Sequence, residues 1–119
     1  MATKRITLTG SPLSTNHIYR RARYGGMYMT TEGKALKEKW AWEAKSQWKL
    51  PIIKATSISL SALIFWGDKR KRDLDNANKL MIDSLTGIVY EDDKLIDELI
   101  VRREYDKKNP RVEVVIATL

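Results

Sequence analysis

The stretch SISLSALIFW, Ser57 to Trp66, sets Ile58, Leu60, Ala62, Ile64 and Trp66 against Ser57, Ser59 and Ser61. Apolar residues at every second position read as a strand with one buried face. The polar face is lost at Leu63 and Phe65, which predicts a central strand. It delivers the chain through Gly67 into DKRKRDLDNANK, residues 68 to 79, where Lys69, Arg70, Lys71 and Arg72 stand directly before Asp73 and Asp75.

Upstream, KRITLT (4–9) alternates Ile6 and Leu8 on one face and reads as a short strand. GSPLSTNHIYRRARYGGMYM (10–29) shows no clean period and reads as a long, partly ordered loop. Helix propensity takes over at TTEGKALKEKWAWEAKSQW, with Thr30 or Thr31 as N-cap and Glu32 near the positive end of the helix dipole. Leu36, Trp40, Ala44 and Trp48 recur every fourth residue as a buried stripe. Trp42 lies off that stripe, where a core rim, a subunit interface or stacking on a base all suit it. Pro51 cannot continue the helix.

Downstream, Ala77, Leu80, Met81 and Leu85 give a helical spacing from Asp75 to Leu85, closed by the Gly-containing turn TGIVYEDD. LIDELIVRREY and RVEVVIATL then read as two further strands. The element order predicts an α/β (α+β) fold, one domain over residues 1–119, with a small mixed sheet of about four strands packed on two main helices.

The 119 residues suffice for one compact domain. Lys and Arg number 22 against 15 acids, a net charge of +7 that points to a polyanionic partner such as nucleic acid or an acidic membrane surface. There is no cysteine, so disulfides, thiolate nucleophiles and thiolate zinc sites are excluded; a histidine site or Ser-His-Asp triad would have to be built around the one histidine, His17, and metal chemistry must otherwise rely on oxygen ligands. The N-terminus lacks a signal peptide's apolar core and no run has the length of a membrane span, so a cytoplasmic protein is expected.

If 73–75 is extended, alternation puts both carboxylates on one side, an arrangement suited to a hard cation. Adjacent like charges raise each other's pKa unless a cation or neighbouring Arg and Lys compensates. N-capping by Asp75 would explain one acid of the pair but not Asp73. Asp75, Lys79 and Asp83 are four apart on one helix face. They form either a surface ladder contributing some tenths of a kcal/mol per pair or a carboxylate site with a cation beside it. In YEDDK, either Asp92 or Asp93 can complete an acidic site, though charged turn residues usually mean nothing more than solvation. A calcium loop of the EF-hand type is excluded, since Asn78 stands where Gly is needed at the sixth position and Ser84 where Glu belongs at the twelfth.

RDLDNANKLMIDSLTGIVYEDDK resembles the signature region of the RusA family of Holliday junction resolvases, small endonucleases of bacteria, phages and prophages. SPLSTNHIYR is similar to that family's opening, Pro-x-Ser-x-Asn-x-x-Tyr, although Gly10-Ser11-Pro12-Leu13 departs from its common Pro-rich pattern. The resemblance implies that Asp73, Asp75 and Asp93 are catalytic, metal-binding carboxylates, with Asp93 taken as the second acid of its pair, and that Lys79 is the catalytic lysine. It further implies an Mg2+-dependent homodimer nicking opposing strands of a four-way DNA junction, in DNA recombination and repair. Asn16 aligns with the opening motif and is expected to give substrate or structural support. Arg20, Arg21, Arg23, Lys69, Arg70, Lys71 and Arg72 would then bind DNA phosphates around the cut. Tyr19 and Tyr24 suit stacking on unpaired bases or packing. Two rivals are a non-catalytic protein binding branched or single-stranded DNA and a metal-dependent nuclease acting on flaps or RNA.

Overall fold

Ile58, Leu60, Ala62, Ile64 and Trp66 are buried and their intervening neighbours only half-buried, so the period-two reading of this strand holds along its whole length. The computed structural model describes residues 3–10, 19–69 and 74–119, with backbone alone at 19–20 and 74–76. In chain order these form β1 (Thr3–Thr9), β2 (Tyr19–Arg21), β3 (Met27–Met29), α1 (Thr31–Gln47), β4 (Ile58–Trp66), α2 (Leu74–Leu85), a 3-10 turn (Asp93–Leu95), β5 (Ile96–Tyr105) and β6 (Arg111–Thr118).

The main sheet has four strands in the order β1-β6-β4-β5. β6 runs antiparallel to both β1 and β4, whereas β5 runs parallel to β4. A parallel neighbour needs a crossover, and α2 supplies it between β4 and β5. The predicted α+β architecture, a mixed sheet with two main helices, is therefore present, with β4 internal as expected.

Register brings the apolar faces together: Ala62 lies opposite Val114, which lies opposite Ile6, and Ile64 lies opposite Val112, which faces Leu8. Trp40, Ala44 and Trp48 from the α1 stripe and Ala77, Leu80, Met81 and Leu85 from α2 cover this face, with Leu36 partly buried at its margin. Each large side chain removed from water here contributes roughly 1.5–3 kcal/mol. Trp42 is 71% exposed, which removes it from the core. Thr30, not Thr31, caps α1: its Oγ1 accepts from Gly33 N at 3.0 Å. The helix ends at Gln47 with Trp48 as its C-cap, ahead of Pro51.

Two sequence expectations need correction. Residues 10–29 are not loop throughout: β2 and β3 form an antiparallel hairpin pairing Tyr19 with Met29 and Arg21 with Met27. Its turn uses Gly25 and Gly26 at φ 99° and 75°, conformations that L side chains rarely adopt, and Ala22 N donates to Gly26 O at 3.0 Å. Second, α2 already includes Leu74, so the backbone at Asp75 is helical and does not continue an extended segment.

Candidate active site

The acids expected to act together are distributed by α2. Asp75 occupies its first turn, nine residues after Trp66 ends β4. Lys79 follows one turn later and is exposed; Asp83 lies a further turn on and is half-buried. Beyond the helix, Gly87 at φ 87° lets the chain reverse, with Gly87 N donating to Tyr90 O at 2.8 Å. Ile53 then clamps the returning segment: Ile53 N donates to Val89 O and Glu91 N to Ile53 O, both at 2.9 Å.

Tyr90 anchors this corner. Its ring is fully buried and its hydroxyl donates to Ile82 O at 2.8 Å. Burial raises the phenol's pKa well above its ordinary value. A hydrogen bond with Thr86 acts in the opposite sense, and the charges of Asp93 and Asp83 push it up further. Asp83 on α2 and Asp93, three residues beyond Tyr90, thus both act on this phenol. From Asp75 to Asp83 is about 12 Å along the axis at 1.5 Å per residue. Asp93 is also three residues before the Ile96–Ile58 pair that begins the β4–β5 ladder, whereas 67–73 follow its other end, where Trp66 pairs with Tyr105.

Asp92 and Asp93 differ in what they do locally. The Asp92 carboxylate caps the 3-10 turn, accepting from Lys94 N at 2.9 Å, with Lys94 Nζ at 3.7 Å. The backbone hydrogen bond is the main cause holding its pKa below the ordinary carboxylate value. Asp93 is the first residue of that turn and is exposed. Asp73 lies outside the described residues, as do Asn16, Arg70, Lys71 and Arg72, and the side chains of Asp75 and Arg20 lie outside them too. Among the described residues no three of His, Asp or Glu gather into a group able to hold a metal.

Of the basic residues, Lys69 is exposed at the C-terminal end of β4, its Nζ 5.4 Å from the centre of the Tyr105 ring. It borders a shallow cavity of about 270 Å³ with Trp66, Asp68, Arg103, Glu104 and Tyr105. Arg21 and Arg23 are exposed on the hairpin, and Arg23 lies 5.6 Å from the Tyr24 ring centre. Sequence reading missed Arg103 and Tyr105 as neighbours of Lys69. Only the Trp66–Tyr105 pairing across 39 residues of chain creates that proximity. It also missed Asn78, whose Oδ1 is buried in α2 without a partner among the described residues.

The sequence model of the RusA endodeoxyribonuclease family matches residues 9–117. The chain belongs to that family. The crossover junction endodeoxyribonuclease of Enterobacteria phage 82 is 32% identical over 121 aligned positions, covering 100% of this chain and 98% of that protein. The RusA crossover junction endodeoxyribonuclease of Escherichia coli K12 shows the same identity and coverage. That of Shigella sonnei is 31% identical over the same extent. The match to the RusA family spans every element from β2 to β5 and the entire acid and lysine pattern from Asp73 to Asp93. No helix among the described residues of this RusA-family chain is long and apolar enough to cross a membrane.

Proposed function

We propose that this chain is an Mg2+-dependent, homodimeric endonuclease that resolves four-way DNA junctions by paired nicks, acting in recombination and repair. The observation that carries the reading is the family match over residues 9–117, with full-length relatives named as crossover junction endodeoxyribonucleases. Asp73, Asp75 and Asp93 hold the metal, and Lys79 is the catalytic lysine. A donor set of carboxylates, with no cysteine and one histidine in the chain, fits a hard cation that prefers oxygen. The commitment of Asp92 to capping supports Asp93 as the third ligand.

Asp73, Asp75 and Asp93 would hold Mg2+, which when bound would lower the pKa of a water and offset charge on the scissile phosphate. Lys79, exposed on α2, adds a fixed positive charge where negative charge grows on the phosphate oxygens. Asn16, Arg20, Arg21, Arg23 and the run Lys69, Arg70, Lys71 and Arg72 hold the flanking backbone and offset repulsion between DNA and the carboxylates. The homodimer rests on the likeness to the RusA family. A two-fold dimer also presents two cutting centres to two strands.

The test is to incubate the full chain with labelled four-way junction, linear duplex, flap and RNA, with and without Mg2+, beside Asp75→Asn. Paired nicks in the junction alone are expected, lost in the variant while junction binding survives. Equal behaviour of wild type and variant would sink the enzymatic reading. Preferential cutting of flap or RNA would sink only the substrate.

A further inference from the structure

β5 is an edge strand of ten residues, and at its middle Leu99 and Ile100 are 42% and 49% exposed. A long edge carrying apolar side chains is a template for pairing with another strand. What fits it is written in its own sequence: Asp97 and Glu98, then Leu99, Ile100 and Val101, then Arg102 and Arg103. Reversed, this segment is complementary to itself, the condition that a two-fold interface imposes.

We propose that β5 pairs antiparallel with β5 of a second copy about a two-fold axis at Ile100, joining the two sheets edge to edge. This rests on the homodimer reading above and specifies its surface. In that register Ile100 meets Ile100 of the partner, Leu99 meets Val101, and Glu98 meets Arg102, twice over by symmetry. The faces agree as well. Leu99 and Val101 lie opposite Leu60 and Ala62 of β4, on the helix-covered side, so their contacts extend the core. Glu98, Ile100 and Arg102 lie opposite Ser59, Ser61 and Leu63, on the other side.

Within the chain, Glu98 accepts from Ser59 Oγ at 2.5 Å and Arg102 Nη2 donates to Glu104 Oε1 at 3.0 Å. Both side chains are exposed and retain capacity for a cross-strand partner. The register slips between Ile58 and Ser59 of β4, at the level of Asp97, so the complementarity is claimed from Glu98 onward. Antiparallel pairing about Ile100 also carries the Asp93 end of each copy toward the Tyr105 end of the other, the end at which Trp66 leads into 67–73.

The chain has no cysteine, so one introduced thiol reports one position. Ile100→Cys, oxidised in the full chain, is expected to cross-link to itself, because directly opposed residues hold their Cα atoms within disulfide reach. Trp42→Cys, on the exposed face of α1, is expected to stay uncross-linked. In sedimentation, Glu98→Arg and Arg102→Glu should each associate roughly tenfold more weakly than wild type. An equimolar mixture of the two variants should regain wild-type association, since each supplies the sign the other lacks. Recovery in the mixture excludes misfolding as the cause of the single losses. A dimer that cross-links through Trp42→Cys, or is not restored by mixing, overturns the β5 seam and leaves the homodimer standing. A wild type that is monomeric at every concentration, with Mg2+ and junction present, overturns both.

Discussion

The two edges of the sheet are built on opposite plans. At β1 the backbone is covered by α1: Gln47 brackets Thr7, its Oε1 accepting from Thr7 N at 2.8 Å and its Nε2 donating to Thr7 O at 2.7 Å. Glu43 accepts from Thr9 N at 3.1 Å, while Trp40 Nε1 and Lys39 Nζ donate to Thr9 O at 3.0 and 3.1 Å. The apolar residues of this edge, Ile6 and Leu8, are wholly buried. β5 has no comparable cover among the described residues, and it presents Leu99 and Ile100 to solvent. One edge is closed against strand addition by its own chain; the other is left available. The difference is what the proposed β5 seam builds on.

The largest effect expected from breaking this contrast is at Trp40. Trp40→Ala removes a fully buried indole together with its bond to Thr9 O, and should cost about 3–5 kcal/mol in denaturant unfolding. A loss below about 1 kcal/mol would show that α1 does not hold the β1 edge.

A smaller and more pointed comparison sets Gln47→Ala against Ile100→Thr. The first strips both Thr7 bonds and should lower stability by about 1–2 kcal/mol, with faster amide exchange at Thr7. The second acts on an exposed position and should change monomer stability by less than about 0.5 kcal/mol while weakening self-association. Equal stability losses at the two positions would remove the distinction between closed and open edges.

The smallest effect lies where β5 turns into β6. Arg111 Nη1 donates to Asp106 Oδ2 at 2.8 Å, and this bond is the main cause holding the Asp106 pKa below the ordinary carboxylate value. A depressed carboxylate stabilises the fold above its unfolded pKa and loses that contribution as pH falls through the folded one. Asp106→Asn should therefore lower the melting temperature slightly at neutral pH, with the difference from wild type shrinking in acid. A difference independent of pH would assign the effect to geometry, not charge.

Local pattern was enough for β4, whose alternation in SISLSALIFW matches its burial residue for residue, and for α1, where the Thr30 cap, the Trp40–Ala44–Trp48 stripe and the stop before Pro51 all appear in the structure. These features depend on neighbours one to four residues apart, which a sequence displays directly. The β2–β3 hairpin was legible only through Gly25-Gly26, because three-residue strands carry too little periodicity to register. The residue types of the candidate site, acids with a lysine and almost no histidine or cysteine, were likewise open to reading and pointed to oxygen-ligand metal chemistry.

Tertiary structure alone decided where those residues go. The sequence shows a helix between Asp75 and Asp93 but is silent on the pairing of Ile53 with Val89 and Glu91 that fixes the segment leading to Asp93. Nor does LIDELIVRREY fix which strand lies beside it, since edge position follows from how the strands pair. Composition and short-range periodicity are written in consecutive residues, whereas distances between remote residues follow from the path of the whole chain.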